Sequence, residues 1–176
     1  MKYLLNQEET SRLHFRLVDA SDFLWWINFY KDPTSFAHWT EKRQDPEIEC
    51  RQWYEKQFSR YESDLGGMNS LVEKSTGKLI GYSGLLVQSV DGEEELEVAY
   101  SLLPDYRNKG YATEAAKKCR DCAFQNNFSD SLISIISITN TPSSNVATKN
   151  GMGLEKQTLY KENKVNIFRI KRIDWE

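Results

Sequence analysis

The stretch LLPDYRNKGYATEA, residues 102–115, gathers Arg107, Lys109 and Gly110 where strand-forming residues give way to helix-forming ones. A helix N-terminus is already positive, so cations are out of place there unless an anion joins them. Gly110 permits a left-handed or close-approach backbone, and the small Ala112 lets a first helical turn come near a ligand. In this pattern, Arg-x-x-Gly-x-Ala, Arg107 and Asn108 lead into the turn. The N–H groups from Lys109 through Gly110, Tyr111, Ala112 and Thr113 would then point into one concavity, a cradle for a pyrophosphate. A solvated basic loop closed by glycine fits the same spacing. The Gly-Lys-Ser/Thr ending of a P-loop and the G-x-G-x-x-G of a dinucleotide fold are both missing.

The chain carrying this stretch has 176 residues, enough for one domain with a real core, and division is not suggested by any repeat or linker. Hydrophobic residues at 39% and charged residues at 28% describe an ordinary globular protein. A formal charge of −3 disfavours nucleic acid as a partner. No apolar run is long enough to span a membrane, and MKYLLNQEETSR lacks an export core, so a cytoplasmic protein is expected. Cys119 and Cys122 match C-x-x-C, but they fall about two turns into a predicted helix rather than at its N-terminus, and no second ligand pair accompanies them. They read, with Cys50, as structural thiols; no metal site is expected.

Leu13, Phe15 and Leu17 alternate with polar residues as a half-buried strand. A helix capped by Asp19 or Ser21 follows and stops at Asp32-Pro33; a second opens at Asp45-Pro46 and ends before Gly66-Gly67. MNSLVEK and KLIGYSGLLV flank a Ser75-Thr76-Gly77 hairpin turn, and Asp91-Gly92 turns the chain into EELEVAYSLL. A helix from Gly110 to about Asn126, a strand over Leu132–Ile138 covered on both faces, a short helix from Ser143 to Lys149 and a final hairpin complete the order β-α-α-β-β-β-α-β-α-β-β. That order is mixed α/β, one sheet with helices on both faces. Alternation sets Glu95, Glu97 and Ala99 on one face of their strand and Leu96, Val98 and Tyr100 on the other.

EVAYSLLPDYRNKGYATEA closely resembles the acetyl-CoA-binding motif of the GNAT superfamily of N-acetyltransferases, a bulged strand followed by Gln/Arg-x-x-Gly-x-Gly/Ala and a helix. NTPSSNVATKNGM, Asn140 to Met152, resembles the family's second signature, with Met152 where an aromatic is usual. The start SRLHFRLVDASDFLWW and the GKLIGYSGL hairpin resemble the branch containing ribosomal-protein N-terminal acetyltransferases. The resemblance runs through most of the chain. It implies the acyl-CoA N-acyltransferase fold: a mostly antiparallel sheet splayed at a bulge, with helices on both faces.

It also implies a reaction, acetyl transfer from acetyl-CoA to an amine. Pantetheine would pair with backbone near Ser101, Leu102 and Leu103, one N–H between Tyr100 and Leu102 would polarise the thioester carbonyl, and Asn140 would meet the pantetheine arm. An α-amine, pKa about 8, or a lysine, about 10.4, must lose a proton. Glu97 lies where some family members carry a glutamate base, although it also merely continues the acidic run Glu93-Glu94-Glu95. The family's thiolate-protonating tyrosine falls at Ala147, so Ser143 is the substitute, equally readable as a helix N-cap, with Asn145 a weaker neighbour of the thiol. Tyr30, Phe36, His38 and Trp39 could line the acceptor's mouth or simply pack the helices. The expected acceptor is a ribosomal or other protein N-terminus. A polyamine, amino acid or aminoglycoside is the alternative; the net charge of −3 mildly suits a cationic acceptor but is too small to select one. A CoA-binding module without catalysis is a third reading. Monomer and homodimer stay equally open.

Overall fold

A computed structural model describes residues 2–175. Four of its strands, β1 (Leu13–Leu17), β2 (Gly66–Glu73), β3 (Leu79–Val90) and β4 (Glu93–Leu102), form an antiparallel meander. The others, β5 (Ser131–Ser137), β6 (Gly153–Tyr160) and β7 (Asn163–Lys171), continue the sheet in the order β1-β2-β3-β4-β5-β7-β6. β4 and β5 run parallel, and their ladder consists of the single pair Glu97↔Ile133. Beyond it the two strands part.

Two helices, α1 (Phe23–Lys31) and α2 (Pro46–Glu62), are inserted between β1 and β2. Asp45 accepts from the N–H groups of Glu47 and Ile48, and Pro46 occupies the first helical position, where its missing N–H costs nothing. Asp32 and Pro33 end α1 and start a short 3-10 turn, Pro33–Phe36. α3 (Tyr111–Gln125) links β4 to β5, and α4 (Thr141–Lys149) links β5 to β6.

α3 and α4 cover one face of the sheet, where Leu96, Val98 and Leu102 of β4 share a core with Cys119, Phe124, Leu132, Ile136 and Ala147. α1 and α2 cover the other, over Tyr82, Leu86 and Leu103. A separate apolar cluster on that second face joins Ile133 and Ile135 to Val165 and Ile167, with Trp39 and Tyr160 leaning on it. The parted strands therefore still share one core on the α3 side, while their other face is divided. Each fully buried side chain of this kind contributes roughly 1.5–3 kcal/mol, which lets packing hold together two half-sheets joined by one backbone pair. Arg169 of β7 adds a bidentate bond to Glu95 of β4, at 2.5 and 3.0 Å, below the point of divergence.

Two expectations are refined. The β3–β4 register runs unbroken from Gly81↔Leu102 to Val90↔Glu93, so β4 carries no bulge against β3 and the splay comes from β5 turning away. The helix expected from Ser143 begins at Thr141, because Asn140 caps it: its side-chain oxygen accepts the Ser143 N–H at 3.1 Å.

Candidate active site

Where the β4–β5 ladder stops, side chains take over the groups it leaves open. The Ser134 hydroxyl donates to the Val98 carbonyl at 2.8 Å, and the Ile135 N–H faces the Glu97 carboxylate. Backbone groups alternate along a strand, so Tyr100 and Leu102 turn theirs to the same β5-side edge as Val98. That edge has no ladder partner beyond Glu97↔Ile133. The alternation thus selects Tyr100 N–H and Leu102 N–H, from the expected 100–103 segment, as donors facing the gap; Ser101 and Leu103 turn the other way, and Leu103 N–H bonds Ile80.

Glu97 stands at the apex of the split with 8% of its surface exposed. Burial raises its pKa above the ordinary carboxylate value, opposed by the hydrogen bond from Gln88, the Ile135 N–H and the positive charges of Arg60 and Lys161. The Gln88 amide donates to Glu97 at 2.7 Å and accepts the Tyr160 hydroxyl at 3.1 Å. No cation among the described residues forms an ion pair with Glu97, whereas its neighbour Glu95 is neutralised by Arg169. One carboxylate of the acidic run is thus ion-paired and the other, Glu97, is buried without an ion-pair partner among the described residues. Gln88 and Tyr160 escaped sequence reasoning, since neither lies in a motif; only the register, which sets Gln88 opposite Glu95, brings the amide beside Glu97.

The turn before α3 has the geometry its residue types suggest. Asn108 (φ 60°) and Gly110 (φ 82°) are both left-handed, and no side chain caps the helix. The first intrahelical bond is Glu114 N–H to the Gly110 carbonyl, so the N–H groups of Tyr111, Ala112 and Thr113 lie ahead of it. A Cβ added at Gly110 would meet only the Arg12 guanidinium, at 3.4 Å, which leaves the helix mouth open. Lys109 stays near that mouth, its ammonium 5.6 Å from the Tyr106 ring centroid. Arg12, unforeseen in the sequence, bonds the Lys109 carbonyl at 2.9 Å and lies over the Tyr111 ring.

Arg107 is placed differently from the expectation. Its guanidinium bonds Asp32 at 3.1 Å, Thr34 at 2.8 Å and Ser35 at 2.7 Å, and its Nε bonds the Leu102 carbonyl at 3.1 Å. The side chain clamps the α1–α2 connection rather than facing the helix mouth. Asn140 likewise spends its amide oxygen on capping α4. Ser143 is half-buried, and its carbonyl accepts the Tyr100 hydroxyl at 2.8 Å; Asn145 is exposed.

The four residues expected at the acceptor's mouth divide. Tyr30 and Phe36 pack on one another, centroids 5.3 Å apart, with the Arg43 guanidinium 3.2 Å from the Phe36 centroid. Trp39 packs on the β5–β7 cluster. His38 reaches Thr139, at the end of β5, with 2.9 Å between its Nδ1 and the hydroxyl. The connection therefore crosses the split at the end of β5, next to Asn140.

Similar proteins fit this arrangement. The uncharacterized protein YkkB of Bacillus subtilis (strain 168) is 28% identical over 160 residues, covering 88% of this chain and 89% of its own. An acetyltransferase crystal structure from Agrobacterium tumefaciens superposes with a TM-score of 0.79 at 22% identity, covering 97% of this chain and 96% of that one. A ribosomal L7/L12 alpha-N-protein acetyltransferase in complex with coenzyme A has a TM-score of 0.74 at 12% identity, covering 94% and 97%. The family model of the acetyltransferase (GNAT) domain matches residues 12–153, which include the split strands, the uncapped helix and α4. The chain belongs to the GNAT family of acetyltransferases.

Proposed function

We propose that this N-acetyltransferase uses acetyl-CoA to acetylate the α-amine of a protein N-terminus, with Glu97 as the base. The observation that carries the reading is the buried Glu97 carboxylate at the apex of the split, beside open backbone donors and on the same side as the α1–α2 connection.

The residues present fit the donor. The uncapped turn of Gly110, Tyr111, Ala112 and Thr113 suits a pyrophosphate, and the unpaired β4 edge suits the amide groups of pantetheine. The coenzyme A complex of the structurally similar ribosomal-protein acetyltransferase supports this donor. In the reaction the acceptor amine, once neutral, attacks the thioester carbonyl; the C–N bond forms, the C–S bond breaks, and the thiolate takes up a proton as CoA leaves. Glu97 receives the proton lost by the amine, directly or through water. Tyr100 N–H is the donor best placed to meet charge developing on the carbonyl oxygen. The choice of an α-amine follows from proton affinity. A carboxylate whose pKa is raised matches an α-ammonium of about 8 better than a lysine of about 10.4.

Thiol release from acetyl-CoA tests the reading, with peptides bearing a free or blocked N-terminus and with N-terminally blocked peptides containing lysine. Turnover confined to free α-amines is expected. Release only with lysine side chains or with non-peptide amines would sink the choice of acceptor, and tight CoA binding without turnover on any amine would reduce the protein to a binding module.

A further inference from the structure

The face carrying Glu97 holds a set of cations that the acetyl transfer does not use. Lys56 and Arg60 of α2 are one helical turn apart and therefore share a side of the helix. Across from them, Lys161 occupies the tip of the β6–β7 hairpin, where Lys161 (φ 46°) and Glu162 (φ 63°) form the left-handed turn. The tip is fixed over the site from two directions. Tyr160 bonds Gln88, the residue that holds Glu97, and the Asn163 amide bonds the Lys161 carbonyl at 2.9 Å while its oxygen accepts the Thr40 N–H at 2.8 Å.

These cations lack carboxylate partners. Among the described residues none of Lys56, Arg60 and Lys161 forms an ion pair, although Glu162 adjoins Lys161 and Glu41 lies in the field of Tyr160. Arg60 is 8% exposed; it donates to the Leu65 and Val87 carbonyls at 2.8 and 2.6 Å, and its buried Nε has no partner. Lys56 and Lys161 are both exposed to solvent, and the end of Lys56 faces Lys161; its pKa is held below the ordinary lysine value by desolvation first, then by Lys161 and Arg60, with Glu97 opposing. Two ammonium groups facing one another repel, even where solvent screens them, and an anion between them would relieve that repulsion.

We propose that Lys56 and Lys161, backed by Arg60, bind a carboxylate carried by the acceptor close to its reacting amine, so that the preferred substrates are acidic N-terminal peptides. This rests on Glu97 marking the site of acetyl transfer. A polyamine is disfavoured by the same charges, since a second and third ammonium would approach three cations. The net charge of −3 suggested the opposite preference, but it is a property of the whole surface, whereas these three residues are local to Glu97.

The test compares peptides with an N-terminal alanine followed by Asp-Glu, Ala-Ala or Lys-Lys, alongside free glutamate and spermidine, in wild type, Lys161→Glu and Lys56→Gln. The acidic-to-neutral ratio of kcat/KM is read within each variant, so any loss of folded protein cancels. The ratio should be about three to ten in wild type, near one in Lys56→Gln and below one in Lys161→Glu, and should shrink at about 1 M salt, where charges are screened within about 3 Å. Equal use of the three peptides by wild type, or an acidic preference that survives both substitutions, overturns the proposal. Turnover of the Ala-Ala peptide tests the acceptor class separately. If no peptide is acetylated, that class is wrong, and free glutamate against spermidine still decides the charge preference.

Discussion

The Gln88 amide donates to the Glu97 carboxylate at 2.7 Å while accepting the Tyr160 hydroxyl, so the candidate base is held by an amide whose own orientation is fixed by β6. A donor to a carboxylate favours its charged form. Removing that donor should therefore raise the Glu97 pKa further, and it is already above the ordinary value through burial. In Gln88→Leu the acid limb of the kcat/KM profile should move to higher pH with the plateau largely kept. Glu97→Gln should lose that limb together with about 100-fold or more of the activity, the scale of general-base catalysis. An acid limb unmoved in Gln88→Leu would mean that another group sets it.

Glu97 also has a predictable effect on stability. A carboxyl whose pKa is higher in the folded than in the unfolded chain binds its proton more tightly when folded. Stability then falls as pH rises from the unfolded value through the raised folded one, because the buried group must ionise. Glu97→Gln removes that cost. Its melting temperature should exceed that of wild type at pH 8 by more than at pH 4, a gain in stability at the expense of activity. A variant equally or less stable than wild type at pH 8 would show that the ionised carboxylate is better compensated than its partners indicate.

At Gly110 the backbone itself is constrained, with φ at 82°. A β-carbon meets no closer neighbour than the Arg12 guanidinium at 3.4 Å, so Gly110→Ala should cost only the left-handed strain, about 1–2 kcal/mol. Gly110→Asp adds a negative charge at the helix mouth and should weaken CoA binding by about tenfold or more. Calorimetry with CoA separates the two effects. Undiminished affinity in Gly110→Asp would remove the pyrophosphate from this turn.

Local chemistry made much of this legible in advance. Proline and aspartate at the helix starts, the alternation of β4 and the glycine before α3 act on backbone geometry within a few residues, and the elements followed. Asn140 and Arg107 were harder to assign. Both are motif positions, yet each side chain is taken by a neighbour, the Ser143 N–H for Asn140 and the 32–35 turn for Arg107. Gln88, Tyr160 and Lys161 gave no local signal, since they meet Glu97 only through the pairing of distant strands. Tyr30 and Phe36 show the same limit. Aromatics in a connection are compatible with a mouth or a core, and only packing against Arg43 distinguishes them.

The thiols supply a prediction that separates structure from redox chemistry. Cys119 is fully buried, and burial pushes its thiol up to about 12; Cys122 is raised for the same reason, and all of the cysteines are free. The thiolate is the reactive form, so the folded protein should react with an aromatic disulfide reagent only as fast as it opens. Rapid stoichiometric labelling at neutral pH would contradict that burial.

Arg107 joins the α1–α2 connection to the end of β4, with its Nε on the Leu102 carbonyl. Its bonds to Asp32, Thr34 and Ser35 hold the start of the α1–α2 connection against the segment that leads into the Gly110 turn. The Asp32 carboxyl sits below its ordinary pKa, chiefly through the Thr34 hydroxyl, with Arg107 contributing, so the clamp persists across neutral pH and fails only in acid. Removing the clamp should loosen the connection without unfolding the core, because no residue of the Pro33–Phe36 turn is buried. In Arg107→Ala the amides of residues 32–40 should exchange with solvent about five- to tenfold faster, about 1 kcal/mol of local stability. Arg107→Lys should restore little, since one ammonium cannot reach all the oxygens of a planar fork. Adding CoA to the wild type then decides the fate of the side chain. If a phosphate group draws Arg107 to the helix mouth, exchange at 32–36 rises toward that of Arg107→Ala. If the clamp holds, exchange there stays unchanged, and the anion is left to Lys109, the Gly110 turn and the first N–H groups of α3.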